Sequence, residues 1–314
     1  MSALNTPKPT LLLFGASGFA GRHLVKAFKE AGIHVATSTR HGGEGAPACD
    51  LLDADAVAAC VEAVRPDLVV NAAGSASVAR SWEAPAEVFS VNATGVLNLL
   101  EALARHAPAA HLVCLSSAAV YGEPAPAAMP LGEDAPVAPV SPYGAGKLAM
   151  EALCAQYALA RDLRIAVVRA FNLVGPGQPA YSAASGLARQ IATAERDGEA
   201  GTELALGNPG AARDTTDVRD ATRALVALST ARLAGTFNLC SGTAPTVAEL
   251  AETLAATTPL EVTARVDPAL ARPSDPSVLL GDPTRLREAT GYAPEIPLER
   301  SLADLLTWWR AELA

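Results

Sequence analysis

Tyr143 and Lys147 stand four residues apart, a spacing that puts both side chains on one face of a helix. A phenol with a pKa of about 10 is a poor acid or base near neutrality, but a neighbouring ammonium favours its phenolate. Tyr143 can then pass its proton to a carbonyl oxygen as hydride reaches the carbon, the part of a general acid. Ser117 closes an apolar run, and a hydroxyl at the carboxyl end of a strand points into the ligand crevice of an open α/β sheet. It would hydrogen-bond the same oxygen. A Tyr-x-x-x-Lys pair occurs often by chance, so its weight rests on the elements that position it.

Thr10 to Phe14 is a continuous apolar run, the pattern of a strand buried on both faces. Gly15, Gly18 and Gly21 follow, and then an amphipathic helix over Phe19 to Lys29 with Leu24, Val25 and Phe28 on one face. An ordinary tight turn would also use glycines, but strand, glycines and helix in this order suit a dinucleotide pyrophosphate on the helix N-terminus. Ser17, Phe19 and Ala20 lie in that loop and join the candidate cofactor set. Gly32 ends the helix and Ile33 to Thr37 is the second strand. Its end, Thr37-Ser38-Thr39-Arg40, has hydroxyls and a cation where an acid would hold the ribose of NAD. Guanidinium and hydroxyl donors suit a 2′-phosphate, so Ser38 and Arg40, with Arg22 adding charge, point to NADP(H) over NAD(H). A solvated surface arginine is the alternative.

Ala46 to Asp50 looks like a short third strand, and Asp53 caps a helix reaching Val64. Asp50, beside Leu51, either accepts from the adenine amino group or is a loop carboxylate. Asp67 to Val70 is the fourth strand, and the small residues of Asn71-Ala72-Ala73-Gly74 let a cofactor pass close to the backbone. Glu87 to His106 is one long helix enclosing Asn92, a buried amide that supports the site or serves as a core or capping residue. His111 to Leu115 is the fifth strand, leading into Ser116-Ser117. A long proline- and alanine-rich connection over 122 to 142 follows, and Ser141-Pro142 starts the helix of Tyr143 and Lys147. Arg164 to Ala170 is the sixth strand.

Beyond residue 170 the signals weaken. Helices are expected within 175–196 and over Val218 to Ser229, Val247 to Ala256 and Leu298 to Leu313. Strands are expected at Leu204 to Leu206, Thr236 to Leu239 and Leu260 to Val266. The alternation predicts a doubly wound parallel α/β sheet with a smaller C-terminal α/β part for substrate. The domain bounds are 1–174 plus about 213–240, and 175–212 with 241–314. A net charge of −9 argues against non-specific nucleic-acid binding. No apolar run is long enough to cross a bilayer and no signal core precedes the first strand, so a cytoplasmic location without membrane contact is expected. Five scattered cysteines are expected as buried free thiols, and five histidines without ligand spacing predict no metal.

Gly15-x-x-Gly18-x-x-Gly21, Asn71-Ala72-Ala73-Gly74, Ser116-Ser117-Ala118-Ala119-Val120-Tyr121-Gly122, Tyr143-x-x-x-Lys147 and Arg169-Ala170-Phe171-Asn172-Leu173-Val174-Gly175-Pro176-Gly177 together resemble the extended short-chain dehydrogenase/reductases acting on nucleotide-diphosphate sugars. The resemblance covers essentially the whole chain. It implies Ser117, Tyr143 and Lys147 as catalytic, with Lys147 also holding the nicotinamide ribose. It adds Asn92 and Phe171 to the cofactor set and Asn172, Arg213 and Arg272 as contacts to the substrate diphosphate. Ser81, Ala118 and Arg189 complete the expected substrate set. Gly207-Asn208, Arg213 to Asp220, Asn238 to Gly242, Arg272 to Asp275 and Gly281-Asp282 look most like the GDP-4-keto-6-deoxy-D-mannose reductases, although Thr215 stands where relatives usually carry an aromatic residue. A dehydratase would need an acid pair where Ala118-Ala119 stands. An NAD-retaining epimerase would prefer an acidic end to the second strand, and a non-catalytic dinucleotide sensor would lack Tyr143 or Lys147. Reduction of a 4-keto sugar nucleotide by a homodimer is the resulting expectation.

Overall fold

The computed structural model describes residues 9–270 and 277–314. The chain divides into two compact units. The first takes residues through Val120, Ser141–Arg169 and Thr222–Phe237, and the second Tyr121–Val140, Ala170–Ala221 and Asn238–Ala314.

The first unit is built on β1 (Thr10–Phe14), β2 (His34–Ser38), β3 (Leu68–Asn71), β4 (His111–Ser117) and β5 (Arg164–Ala170), which with β10 (Gly235–Leu239) form one sheet in the order β10-β5-β4-β3-β1-β2. β1 pairs in parallel with both β2 and β3, and β3 with β4. The chain steps outward from β1 to β2 and then returns across β1 to β3, so the carboxyl ends of β1 and β3 flank the switch point where such sheets bind ligands. Helices α1 (Phe19–Glu30), α2 (Ala54–Val64), α5 (Gly95–His106) and α6 (Pro142–Arg161) cover the sheet. Asp53 caps α2 by accepting from the Ala56 amide, and Ser141 caps α6 by accepting from Gly144. The core runs from Leu12 and Val69 through Leu99, Leu100 and Leu103 to Met150 and Ile165.

Two expectations are corrected. Residues 46–50 form no strand, and an isolated bridge joins Gly45, just before them, to Thr37. The reason is local, since Pro47 has no N–H to donate to a ladder. The helix expected over 87–106 is interrupted. It is α4 (Pro85–Phe89), a π-turn at Ser90–Thr94 and then α5. Such a turn inserts an extra residue and rotates the side chains beyond it, and these turns gather at functional sites. Short α3 (Val78–Glu83), capped by Ser77, was not anticipated.

The second unit contains β6 (Asn172–Val174), α7 (Ala183–Arg196), β7 (Gly201–Leu206), β8 (Ala212–Arg213), β9 (Thr215–Asp217), α9 (Val247–Ala255), β11 (Glu261–Val266), β12 (Val278–Leu279), α10 (Thr284–Thr290) and α11 (Leu298–Leu313). Between the units in sequence, α8 (Val218–Thr230) crosses the division at Ala221. Three parallel pairs, β7 with β11, β8 with β12 and β6 with β9, replace a single sheet. Its core joins Leu187 and Ile191 of α7, Leu204 and Leu206, Leu250 and Leu254, and Leu302, Leu305 and Leu306 of α11. Burying each such leucine is worth about 1.5–3 kcal/mol, which holds these short strands together. All five cysteines are buried and unpaired by disulfide, as the apolar patterns indicated. No helix among the described residues is long and apolar enough to cross a membrane.

The turn from β1 into α1 depends on glycine. Gly15 has φ +84°, and a Cβ there would lie 2.5 Å from the Ala73 nitrogen. A Cβ on Gly21 would lie 2.0 Å from the Gly15 oxygen. Alanine is the better helix former by about 0.8–1.0 kcal/mol, but overpacking against rigid backbone costs about 1–3 kcal/mol. Gly21→Ala is therefore expected to lower the denaturant midpoint. A midpoint at or above that of the wild type would show that the turn relaxes freely.

Candidate active site

The glycine turn carries the first half of the site. The Gly18 amide donates to the Gly15 carbonyl at 3.0 Å, and α1 begins at Phe19 with no side-chain cap and no acid in its first turn. Ser17 and Gly18 are exposed, Phe19, Ala20 and Gly15 partly so, and Arg22 folds back to donate to the Ser17 carbonyl at 2.9 Å. Exposed backbone at an uncapped helix start suits a phosphate group. Across the switch point, Ala72 donates to the Phe14 carbonyl, and the Asn71 side chain accepts from the Ala73 amide at 3.1 Å. The backbone of Ala72 and Ala73 is thereby fixed against Gly15, leaving no room for a side chain there.

At the end of β2 the hydroxyls are used by the chain itself. Thr37 accepts from the Glu44 amide, and Thr39 donates to the Gly42 carbonyl. Ser38 is fully buried and donates to the Pro47 carbonyl at 2.9 Å. Arg40 is exposed. The acid of this loop, Glu44, is drawn to Lys29 at 2.7 Å, which holds its carboxyl below the ordinary range. Asp50 is exposed and accepts from the Leu52 amide, while Leu51 is buried and its carbonyl takes the Asn98 side chain at 2.8 Å.

The π-turn explains Asn92. Its Oδ1 accepts from the Ser75 amide at 3.0 Å and its Nδ2 donates to the Ser75 carbonyl at 3.1 Å. One buried amide thus holds the loop that follows β3 at both its donor and its acceptor, leaving it satisfied.

On α6, Tyr143 occupies the first turn and Lys147 the second, and both are buried. The Lys147 ammonium donates to the Leu115 carbonyl of β4 at 2.7 Å. Burial pushes its pKa down to about 8, against the opposing pull of Cys114, Cys154 and Glu151. Ser117, at the end of β4, is half-buried and accepts from the Ala119 amide, and Ala118 is buried beside it. Sequence reasoning missed Glu151. Its carboxylate accepts from Ser116 at 2.5 Å and from Arg169 at 2.8 Å, all three being buried. The available signal was its place four residues beyond Lys147.

Ser81 is fully buried and donates to the Val78 carbonyl of its own helix at 2.6 Å. In the second unit, Asn172 is exposed at the start of β6, and its amide donates to the Asp214 carbonyl, next to Arg213. Buried Asp214 accepts from Ser241 and Gly242 amides at 2.7 and 2.9 Å and from the Ser241 hydroxyl. Burial nevertheless raises its pKa. Arg189 lies over the Trp309 ring, 5.7 Å from its centroid, a cation–π contact. Phe171 is buried against Tyr121, with ring centroids 6.2 Å apart. Arg272 lies outside the described residues.

A model of the NAD dependent epimerase/dehydratase family matches residues 11–240. The chain belongs to that family. It is 34% identical over 307 residues to the GDP-6-deoxy-D-mannose reductase of Pseudomonas aeruginosa, covering 96% of this chain and 98% of that one. It is 31% identical to the UDP-glucose 4-epimerase of Azospirillum brasilense, covering 99% and 95%. The solved structure of RMD from Pseudomonas aeruginosa, complexed with NADPH, matches with a TM-score of 0.87 at 33% identity, covering 97% of this chain and all of that one. The chain is an oxidoreductase, as its Tyr-Lys pair and glycine turn led one to expect.

Lys147 also makes stability depend on pH. Its pKa is about 8 folded against an ordinary 10.5, so between those values the unfolded chain binds more protons and stability rises with pH. Lys147→Met lacks that gain. Denaturant midpoints at about pH 7.5 and about pH 10 should therefore move in favour of the wild type at the higher pH. Parallel changes in the two proteins would contradict a buried ammonium.

Proposed function

We propose that the chain is an NADPH-dependent reductase of a nucleotide-diphosphate 4-keto-6-deoxyhexose, taking GDP-4-keto-6-deoxy-D-mannose to GDP-D-rhamnose or its C4 epimer. The observation that carries this reading is the buried Lys147 ammonium one helical turn behind Tyr143, beside a strand ending in Ser117. NADPH, when bound, supplies the hydride. Tyr143 gives its proton to the carbonyl oxygen as hydride reaches C4, and water restores that proton afterwards. Ser117 hydrogen-bonds the same oxygen, and Lys147 orients the ribose of the cofactor while favouring the phenolate of Tyr143. Ala118 and Ala119 offer no acid or base for eliminating water, which supports reduction over dehydration. Asn172, Arg213 and Arg272 are assigned to the diphosphate, whose remote binding energy positions the reacting carbon.

The exposed Arg40, in a loop whose acid Glu44 is already held by Lys29, supports NADP(H) over NAD(H). Trp82, Phe89 and Leu159 are exposed apolar side chains of α3, α4 and α6 and support a homodimer on that face, in a cytoplasmic enzyme.

Tyr143→Phe keeps the ring and removes the proton, so turnover should fall by roughly 10²–10⁴ with substrate binding nearly unchanged. Near-normal turnover would remove Tyr143 from the acid role. For substrate, NADPH consumption should be faster with the GDP-linked ketosugar than with its dTDP-linked counterpart, and far slower with the free ketosugar. Equal rates with both nucleotides would sink the GDP assignment. Silence with all of them, with tightly retained NAD and interconversion of a C4 epimer pair, would give the epimerase reading instead. Arg40→Ala should weaken NADPH by about 1.5–3 kcal/mol, the range for a hydrogen bond to a charged group, with NADH little changed. Equal weakening of both cofactors would make Arg40 a bystander.

A further inference from the structure

Three polar side chains meet in the interior of the first unit where apolar ones would pack as well. Glu151 and Arg169 are 8% and 7% exposed and Ser116 is 4% exposed. Arg169 Nε donates to both carboxylate oxygens at 3.1 Å, Arg169 Nη2 donates to Oε2 at 2.8 Å, and Ser116 Oγ donates to Oε1 at 2.5 Å. A buried ion pair rarely adds net stability over an apolar replacement, so the cluster calls for another reason. Its place supplies one. Glu151 follows Tyr143 and Lys147 on α6 at the spacing i, i+4, i+8, while Ser116 immediately precedes Ser117 on β4.

We propose that Glu151 is a positioning residue for the ketoreductase site, its carboxylate fixing the Tyr143–Lys147 face of α6 against the Ser117 end of β4. The inference rests on the reading of Ser117, Tyr143 and Lys147 as the reacting groups. The geometry divides the work. The hydrogen bond to Ser116 sets the height and rotation of α6 against the last residues of β4. The fork of Arg169 fixes the carboxylate from β5, so that it cannot turn away. The carboxylate also sets the charge around Lys147. The titratable groups whose charges bear on that ammonium are Cys114 from β4 and Cys154 and Glu151 from α6, with Tyr143 one turn ahead and Arg169 of β5 clamped to Glu151. Of these, Glu151 is the carboxylate, so its charge favours the protonated lysine.

Two substitutions separate the parts. Glu151→Asp keeps the charge and shortens the reach, and Glu151→Gln keeps the reach and removes the charge. The chain has four lysines, Lys8, Lys26, Lys29 and Lys147. The ¹³Cε resonance of Lys147 in labelled protein is therefore assignable by comparison with Lys147→Met and can be titrated without any turnover. In Glu151→Gln the Lys147 midpoint should move downward by about 1 pH unit, the lower end of a close opposite charge. In Glu151→Asp it should stay in place. In both variants kcat should fall by about 10²-fold, the cost of a misplacement of about 1 Å, with KM for NADPH nearly constant. If Glu151→Gln does not fold with an unpaired Arg169, the double variant Glu151→Gln/Arg169→Gln, which leaves no lone buried charge, replaces it in the kcat measurement, and Glu151→Asp carries the comparison of charge. A folded Glu151→Gln with the wild-type Lys147 midpoint, or any of these variants folded with the wild-type kcat, would overturn the proposal. Loss of kcat, KM and thermal midpoint together, with the lysine midpoint fixed in Glu151→Gln, would reduce Glu151 to a structural role and also overturn it. A wild-type enzyme inactive on every ketosugar nucleotide would sink the ketoreductase reading, and the lysine titration would then judge Glu151 by itself.

Discussion

The constraint on which the first unit depends is a buried ammonium. Lys147 donates to the Leu115 carbonyl at 2.7 Å and is 7% exposed. An isolated charge in such a place is costly, and a group without support neutralises instead. The surroundings supply support of two kinds. The Leu115 carbonyl of β4 accepts its hydrogen bond, and a carboxylate stands one turn away. The balance is narrow, since burial still draws the pKa down to about 8. A lysine poised there changes its charge with small alterations in its neighbours, a property a solvated lysine lacks.

That balance requires rigid backbone, and the chain obtains it with few polar groups. Asn71 and Asn92 each use a side-chain amide on backbone, one turning the chain after β3 and the other holding Ser75 at both ends. The π-turn at Ser90–Thr94 gives up regular helix pairing in return for the orientation of Asn92. Backbone held this way by satisfied buried amides cannot move without leaving them unpaired, which costs more than the bonds themselves contribute.

The second unit solves a related problem with an acid. Asp214 accepts from the backbone of residues 241 and 242, while its own carbonyl takes the Asn172 amide and its amide donates to Leu279. Asp214 thereby ties the Asn172 backbone to the residue that follows Arg213. The short pairs β8–β12 and β6–β9 hold few ladder bonds, so a buried carboxylate with several donors takes over part of the work of a sheet.

The sequence by itself determined the elements whose cause is local. β1 and β5 have the expected bounds, as does α11, and the caps at Asp53 and Ser141 form as expected, because apolar periodicity and capping act within a few residues. The glycine turn, the Tyr143–Lys147 spacing and the buried cysteines were legible for the same reason. What the tertiary structure decided depends on partners distant in the chain. Ser38 donates to the Pro47 carbonyl and Ser81 to its own helix, and a hydroxyl in a sequence carries no sign of where it will donate. The break at Ser90–Thr94 reflects a loop 17 residues away that Asn92 must reach. Glu151 is the clearest case. On the helix pattern it is one more polar residue, and only the folding of β4 and β5 beside α6 brings Ser116 and Arg169 to its carboxylate.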